Sequence, residues 1–183
     1  VVLSLLEDNS TVWITESDAM WFQDPTAEVV GTSGDIVVAS DLGTIGSMPE
    51  GGFILLRPTA ATIAVWKRLI IELDARLQPF KGRDTDDIGD HGSDQLILEK
   101  IMQQSSQLEV GWLHPHKFVP GIWYKDEEFR QSHKKNFIFV LQNNWIVGNE
   151  GKVERAKKWN HWFLSEAGDE CLPISDTAAV KHM

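Results

Sequence analysis

The chain has 183 residues, 42% of them hydrophobic and 24% charged, a composition that predicts one globular domain with a substantial apolar core. Its formal net charge of −10 leaves no basic surface for nucleic acid or for an anionic membrane, so we expect no nucleic-acid partner. The single cysteine, Cys171, excludes an intramolecular disulfide and a cysteine-rich zinc site.

The N-terminal residues carry no recognisable targeting signal. The chain begins with Val1 rather than methionine, and neither a basic segment nor an apolar stretch of membrane-spanning length follows. We therefore expect any membrane anchor to lie outside this sequence.

The first predicted strand, Val12–Thr15, is followed directly by two carboxylates, Glu16 and Asp18. Two acidic side chains at the end of a buried strand can hold Mg²⁺ or Mn²⁺, because such ions often bind only a couple of protein carboxylates together with substrate phosphates. Acidic pairs in this position also form solvated turns or helix caps. The pair alone is compatible with both interpretations.

Two more strands and a long helix follow. Residues 35–41 contain the β-branched run 36–38 and lie between glycines, which predicts a short buried strand. Residues 42–50 contain two glycines and a proline and predict a mobile loop, and residues 52–57 predict the next strand. Residues 59–77 have apolar side chains at helical spacing, which predicts a helix with one buried face.

The second half of the chain continues the alternation. Residues 81–93 are rich in Gly and Asp, but their spacing does not fit an EF-hand, so we predict an exposed loop. A helix is predicted to open at Asp94-Gln95, capped by Ser93 or Asp94. Residues 136–141 predict a strand that ends at Gln142, Asn143 and Asn144, and residues 152–164 predict the last helix.

Strands that alternate with helices predict an α/β sheet. In open sheets of this kind, ligands bind at the carboxyl ends of the strands. Glu16, Asp18, Asp41 and the polar residues 142–144 all follow predicted strands, so we expect them to lie on one edge of the sheet.

Five segments of the chain occur in an order typical of one family. They are residues 15–25; residues 35–37 with Ser40 and Asp41; residues 51–53 with 57–59; residues 93–95; and residues 143–145 with Gly148 and Lys152. From about Val12 to Phe163, this ordered set resembles the nucleotide-diphospho-sugar transferase domain of retaining glycosyltransferases, relatives of plant cell-wall xylosyltransferases and arabinosyltransferases.

The resemblance implies a GT-A-like, Rossmann-type mixed sheet flanked by helices, over residues 1–166. Residues 167–183 contain Gly, Pro, Ser and Asp with little periodicity, so we predict a flexible tail there. It also implies a nucleotide-sugar donor such as a UDP-sugar and a glycan or glycoprotein acceptor. Mn²⁺ or Mg²⁺ would lie on the diphosphate. The enzyme would be in the Golgi lumen, held by a membrane anchor outside this chain.

The resemblance also assigns roles to individual residues. Glu16 and Asp18 correspond to a DxD-like metal-binding pair. Asp94 would orient the acceptor hydroxyl or stabilise oxocarbenium charge, and Gln95 would bind the donor sugar. The remaining residues expected near the donor or acceptor are Asp41, Gly51, Gly52, Asn143, Asn144 and Gly148.

Three features depart from the family pattern. Glu16 is one methylene longer than the usual aspartate, and Gln142 stands where a metal-binding histidine is frequent. The chain starts only a few residues before the DxD strand, so we expect the upstream strands that hold the nucleotide base to be missing.

Two other functional classes remain open on the sequence alone. One is a non-catalytic glycan- or nucleotide-binding relative whose metal site has degenerated at Glu16 and Gln142. The other is an α/β hydrolase or phosphatase using Asp18 or Asp41, although no accompanying nucleophile or phosphate loop is evident. Metal-dependent binding of the donor would separate the first of these from a transferase.

Overall fold

The computed structural model describes residues 1–82, 93–134, 137–165 and 168–171. The helices are α1 (Val2–Glu7), α2 (Thr26–Gly31), α3 (Ala60–Leu77), α4 (Asp94–Gln104), α5 (Ile122–Lys125), α6 (Glu127–Ser132) and α7 (Asn149–Lys158), with a 3₁₀ turn at Gln78–Phe80. The strands are β1 (Val12–Thr15), β2 (Ala19–Trp21), β3 (Ile36–Ser40), β4 (Pro49–Leu56), β5 (Val110–Trp112), β6 (Phe118–Val119) and β7 (Val140–Gln142).

The strands form two mixed sheets. The first has the order β1-β4-β3-β5, in which β4 is antiparallel to both neighbours and β3 is parallel to β5. The second has the order β2-β7-β6, with an antiparallel and a parallel pair. The architecture confirms a mixed α/β fold consistent with the GT-A-like class, although the single sheet expected from the alternation is two sheets.

Helices α3 and α4 cover one face of the first sheet. The α3 helix begins after Thr59, whose side chain caps it by accepting a hydrogen bond from the Thr62 backbone N–H. Val65 and Leu69 then face the sheet, since they lie four residues apart on one side of the helix. The buried core on this face consists of Leu6, Ile36, Val38, Ile54, Leu56, Val65, Leu69, Ile97, Leu98, Ile101 and Met102.

The second sheet packs against the opposite face of the first sheet. Strand residues alternate between the two faces, so Val37 and Leu55 point away from the helices and Val38 and Ile54 point toward them. The core between the sheets consists of Val29, Val37, Ala39, Phe53, Leu55, Leu113, Phe118 and Val140. Each Val, Leu or Phe side chain of this core contributes about 1.5–3 kcal/mol when fully buried. This core holds the strand ends of both sheets in fixed relative positions.

Arg57 has a structural role in residues 57–59, one of the segments on which the family resemblance rests. Its guanidinium donates hydrogen bonds to three backbone carbonyls, those of Gly34, Val30 (3.1 Å) and Thr32 (2.7 Å). Arg57 therefore ties the end of β4 to the segment that enters β3.

Several predicted boundaries need correction. β4 begins at Pro49, so residues 49 and 50 of the predicted loop belong to the strand, because Ser40 pairs with Pro49 across the sheet. The last helix is Asn149–Lys158 rather than 152–164, and Asn160, with φ of 55°, departs from helical geometry just after it.

Other predictions are tested only in part. The predicted strand 136–141 is β7 at Val140–Gln142, and residue 136 lies outside the described residues. The same is true of residues 83–92 in the predicted Gly- and Asp-rich loop and of residues 172–183 in the predicted tail. No helix in the described part of the chain is long and apolar enough to cross a membrane.

Candidate functional site

The segment 16–18 connects the two sheets. The Glu16 backbone N–H donates to the Gly52 carbonyl of β4 at 2.9 Å, which extends the first sheet. Two residues later, the Asp18 carbonyl accepts a hydrogen bond from the Asn143 N–H at 3.1 Å, just beyond β7 of the second sheet. The DxD-like pair therefore lies where the ends of both sheets meet.

The Glu16 carboxylate lies against Gly52. A Cβ atom added at Gly52 would come within 2.6 Å of Glu16 Oε2, so a side chain at this position would displace the Glu16 carboxylate. Burial and the Asp18 carboxylate raise the pKa of Glu16, Lys152 lowers it, and Asp94 raises it. The fold thus brings Glu16, Asp18 and Asp94 close enough for their charges to interact, although Asp94 is distant in sequence.

Asp18 is bonded on one side only. Its Oδ2 accepts from Lys152 Nζ at 2.6 Å, and its side chain is 14% exposed. Its Oδ1 is buried and has no hydrogen-bond partner among the residues that the structure describes. An unpaired buried carboxylate oxygen is costly, so this atom is suited to a ligand.

Gln142 lies at the end of β7, opposite Ala19 of β2. Its side chain is 3% exposed, and neither its amide oxygen nor its amide nitrogen finds a hydrogen-bond partner within the described ranges. Leaving both groups unpaired costs free energy in the absence of a ligand or water.

The predicted metal ligands were compared with what Mg²⁺ or Mn²⁺ requires. Within the described residues, no three His, Cys, Asp or Glu side chains are arranged to hold a metal ion on their own. The unpaired Asp18 Oδ1 and Gln142 amide oxygen, with the Glu16 carboxylate, are oxygen donors of the kind that these hard cations prefer. The residues therefore fit a cation whose remaining ligands come from phosphate or water.

Asp94 and Gln95 lie at the start of α4, beside the Gly51-Gly52 segment. The Ser93 hydroxyl caps this helix by accepting from the Leu96 N–H at 3.4 Å. Asp94 is exposed, and its Oδ1 accepts from the Gln95 N–H at 2.8 Å. A Cβ added at Gly51 would lie 3.1 Å from Gln95 Cβ. A cavity of about 140 Å³ here is lined by Ile14, Gly51, Ile54, Trp66, Leu69, Asp94, Gln95 and Leu98.

Asp41 and Asn144 meet at a second cluster. Asn144 Nδ2 donates to Asp41 Oδ1 at 2.7 Å and to Glu50 Oε2 at 2.5 Å, and its Oδ1 accepts from the Gly121 N–H at 2.6 Å. Trp145 has a left-handed backbone, with φ of 62°, and its Nε1 donates to Asp41 at 3.1 Å. The Asn144 side chain thus joins Asp41, just after β3, to Glu50 in β4 and to Gly121, just before α5.

Glu50 is a member of this cluster that the sequence analysis missed. It is 3% exposed, and burial, followed by its hydrogen bond with Asp41 and the Asp41 charge, raises its pKa to about 9. The Gly52 N–H donates to Glu50 Oε1 at 3.2 Å. Gly52 therefore links this second cluster to Glu16. In the sequence, Glu50 stands directly before two glycines at the end of a predicted loop, and this pattern does not indicate a buried carboxyl group.

Asn143 and Gly148 stabilise the backbone conformation between β7 and α7. Asn143 Nδ2 donates to the Lys152 carbonyl at 2.9 Å, and its Oδ1 accepts from Arg155 Nε at 2.7 Å. Gly148 precedes α7 with φ of 86°, a conformation that favours glycine. The side chain of Asn143 is therefore engaged within the protein, in contrast to the unpaired side chain of Gln142.

Arg155 was not predicted as a site residue. Its Nη2 donates to the Asn144 carbonyl at 2.5 Å, and its guanidinium lies 4.5 Å from the centroid of the Tyr124 ring. Burial lowers the pKa of Arg155, while Tyr124 and Asp18 raise it. The helical periodicity of α7 placed Arg155 and Lys152 on a helix, but it did not show that both approach Asp18.

The chain was also compared with known proteins. The model of the nucleotide-diphospho-sugar transferase family matches residues 1–156. The beta-arabinofuranosyltransferase RAY1 of Arabidopsis thaliana is 24% identical over 93% of this chain and 34% of its own length. The UDP-D-xylose:L-fucose alpha-1,3-D-xylosyltransferase MGP4 of the same plant is 24% identical over 92% of this chain and 49% of its own.

The chain thus spans between a third and a half of the length of these relatives. No solved structure gives a significant match.

Proposed function

This chain belongs to the nucleotide-diphospho-sugar transferase family, and we propose that it forms the donor-phosphate and catalytic part of a glycosyltransferase that acts with retention. The donor is a nucleotide sugar, with a UDP-sugar as the first choice, and the acceptor is a glycan or glycoprotein. The observation that carries this proposal is that the charges of Glu16, Asp18 and Asp94 interact at the carboxyl end of β1, where Glu16 lies against Gly52 and Asp94 lines a cavity with Gly51.

We assign the diphosphate to the edge occupied by Asp18. Glu16, Asp18 and Gln142 would hold Mn²⁺ or Mg²⁺, which supplies positive charge to the diphosphate leaving group when it is bound. Lys152, already beside Asp18, is the side chain of this edge that can interact with phosphate oxygens directly. Asp18 contributes most, since one of its oxygens is unpaired.

Asp94 and Gln95 act at the sugar end of the donor. Asp94 is exposed at the start of α4, where its carboxylate can accept a hydrogen bond from an acceptor hydroxyl or stabilise positive charge on the anomeric carbon. Gln95, held against Gly51, would bind a hydroxyl of the donor sugar. Both groups lie on a regular helix, which keeps them in place.

The compartment and the substrates follow the family. We place the protein in the Golgi lumen, with a membrane anchor outside this chain. Because two of the reported relatives are named as an arabinofuranosyltransferase and a UDP-D-xylose-dependent xylosyltransferase, pentose donors are the first to test.

A non-catalytic binding protein is the second candidate. It is favoured by the state of the metal-binding pair, since Asp18 is already paired with Lys152 and the Glu16 pKa is raised. In that case the fold would bind a nucleotide or glycan without transferring a sugar.

The decisive experiment is isothermal titration of UDP into the intact protein, first with Mn²⁺ and then with EDTA. The transferase predicts binding that depends on the metal and is lost in Asp18→Asn, whereas Asp8→Asn, a change at an exposed residue after α1, should bind normally. Normal binding by Asp18→Asn would refute the role of Asp18. Metal-independent binding without transfer from UDP-xylose would favour the second candidate.

A further inference from the structure

Lys152 and Asp18 form the shortest ion pair of the candidate site. The ammonium lies 2.6 Å from Asp18 Oδ2, and the two side chains are only 29% and 14% exposed. Solvent and salt therefore screen this pair less than an ion pair on the open surface.

The backbone fixes both partners. The Asn143 N–H donates to the Asp18 carbonyl at 3.1 Å, and Asn143 Nδ2 donates to the Lys152 carbonyl at 2.9 Å. One residue thus bridges the main chains of Asp18 and Lys152. Forming the ion pair requires ordering only the two side chains, because the backbones of both residues are already held in place.

The ammonium and a divalent cation compete for the same carboxylate. With the ammonium at Oδ2, a cation at the unpaired Oδ1 would lie a few ångströms from another positive charge and be repelled by it. The four-carbon stem of lysine allows the ammonium to move away while the helix stays in place. Its release is favourable only when another anion, such as a diphosphate, receives the charge.

We infer that Lys152 is an internal competitor for the cation site, so that divalent metal binds weakly to the free protein and tightly only together with a diphosphate. This inference rests on the proposed function for the identity of the anion. Metal and nucleotide are then reciprocally coupled, because each removes the charge that opposes the other. The resting protein keeps Asp18 neutralised without metal.

The test is the affinity for Mn²⁺, measured by isothermal titration of the intact protein with and without UDP. Without UDP, Lys152→Met should bind Mn²⁺ about tenfold more tightly than the wild type. The factor by which UDP tightens Mn²⁺ binding should fall by a similar amount. Lys157→Met is the matched control, because Lys157 is an exposed lysine of the same helix that lies over Trp162, and it should leave both values unchanged.

Equal or weaker Mn²⁺ binding by Lys152→Met would overturn the inference, as would undetectable Mn²⁺ binding by both proteins. A second measurement uses only the wild type, so its result does not depend on whether the variant folds. In protein labelled with ¹⁵N-lysine, Mg²⁺ with UDP should shift the Lys152 ¹⁵Nζ resonance, and an unchanged resonance would also overturn it. Failure of UDP to bind at all would instead refute the proposed function, since the titration without UDP stands apart from it.

Discussion

Replacing Glu50 by glutamine should change how the stability of the protein depends on pH. In the folded protein, the protonated Glu50 carboxyl can donate to Asp41 while accepting from Asn144 Nδ2 and the Gly52 N–H. A glutamine amide can donate to Asp41 but has only one oxygen to accept the other two bonds. We therefore expect Glu50→Gln to lose one hydrogen bond, at a cost of about 1 kcal/mol.

The sign of the pH effect follows from the proton balance. The Glu50 pKa is raised from 4.5 to about 9, so between these values the folded state holds a proton that the unfolded state has released. Stability is therefore highest below the unfolded pKa and falls as pH rises toward the folded pKa, by at most about 1.4 kcal/mol per pH unit. By pH 7 the wild type should have lost on the order of 3 kcal/mol through this group.

Glutamine does not titrate, so the order of stability of the wild type and Glu50→Gln should reverse as the pH rises. The wild type should be more stable below about pH 5, and Glu50→Gln should be more stable at pH 7 and above. The measurement is urea unfolding at pH 4.5, 6, 7 and 8, with the difference between the two proteins plotted against pH. Glu128→Gln, a change at an exposed residue of α6, should run parallel to the wild type. A constant difference between wild type and Glu50→Gln would refute the buried, protonated state of Glu50.

Two further substitutions test the metal edge. Gln142→His should tighten Mn²⁺ binding about tenfold, because an imidazole nitrogen is a stronger ligand than an amide oxygen, and an unchanged titration curve would show that this position is not a ligand. Gly52→Ala should displace the Glu16 carboxylate and weaken metal-dependent UDP binding while changing the unfolding free energy by only about 1 kcal/mol, since the crowded atoms belong to a side chain. Normal binding by Gly52→Ala would show that the position of Glu16 is unimportant.

Local patterns predicted most of the regular structure of the first sheet. The β1 and β3 strands and helices α3 and α4 lie close to their predicted positions, because short β-branched runs favour buried strands and apolar residues at helical spacing favour helices. The cap of α4 was predicted as Ser93 or Asp94, and the Ser93 hydroxyl forms it, since a cap acts within three residues.

The shortest helices and strands contain too few residues to show a recognisable periodic pattern in the sequence. The β2 strand has three residues, and α1, α2, α5 and α6 have four to six, fewer than two full turns. The division into two sheets depends on how these short elements pair, and pairing is decided by contacts between distant residues.

The sequence predicted which residues form the candidate site, but not the bonds that these residues make with one another. Glu16, Asp18, Asp94 and Gln95 were identified through strand ends and the family resemblance. The bond from Asn144 to Asp41, by contrast, joins residues 103 positions apart, and the bond from Lys152 to Asp18 spans 134. The protonation of Glu50 depends on burial produced by the whole fold, so no local pattern could reveal it.

The Asn144 amide also constrains how the family can diverge. Its two donated bonds and one accepted bond connect Asp41, Glu50 and the Gly121 N–H through a single side chain. Loss of Asn144 alone would remove one donor from each of two carboxyl groups, and loss of Glu50 alone would leave one N–H of the Asn144 amide without its acceptor. Positions 41, 50 and 144 should therefore mutate in concert during evolution, and a relative with a neutral residue at 50 should carry a compensating change at one of the other two.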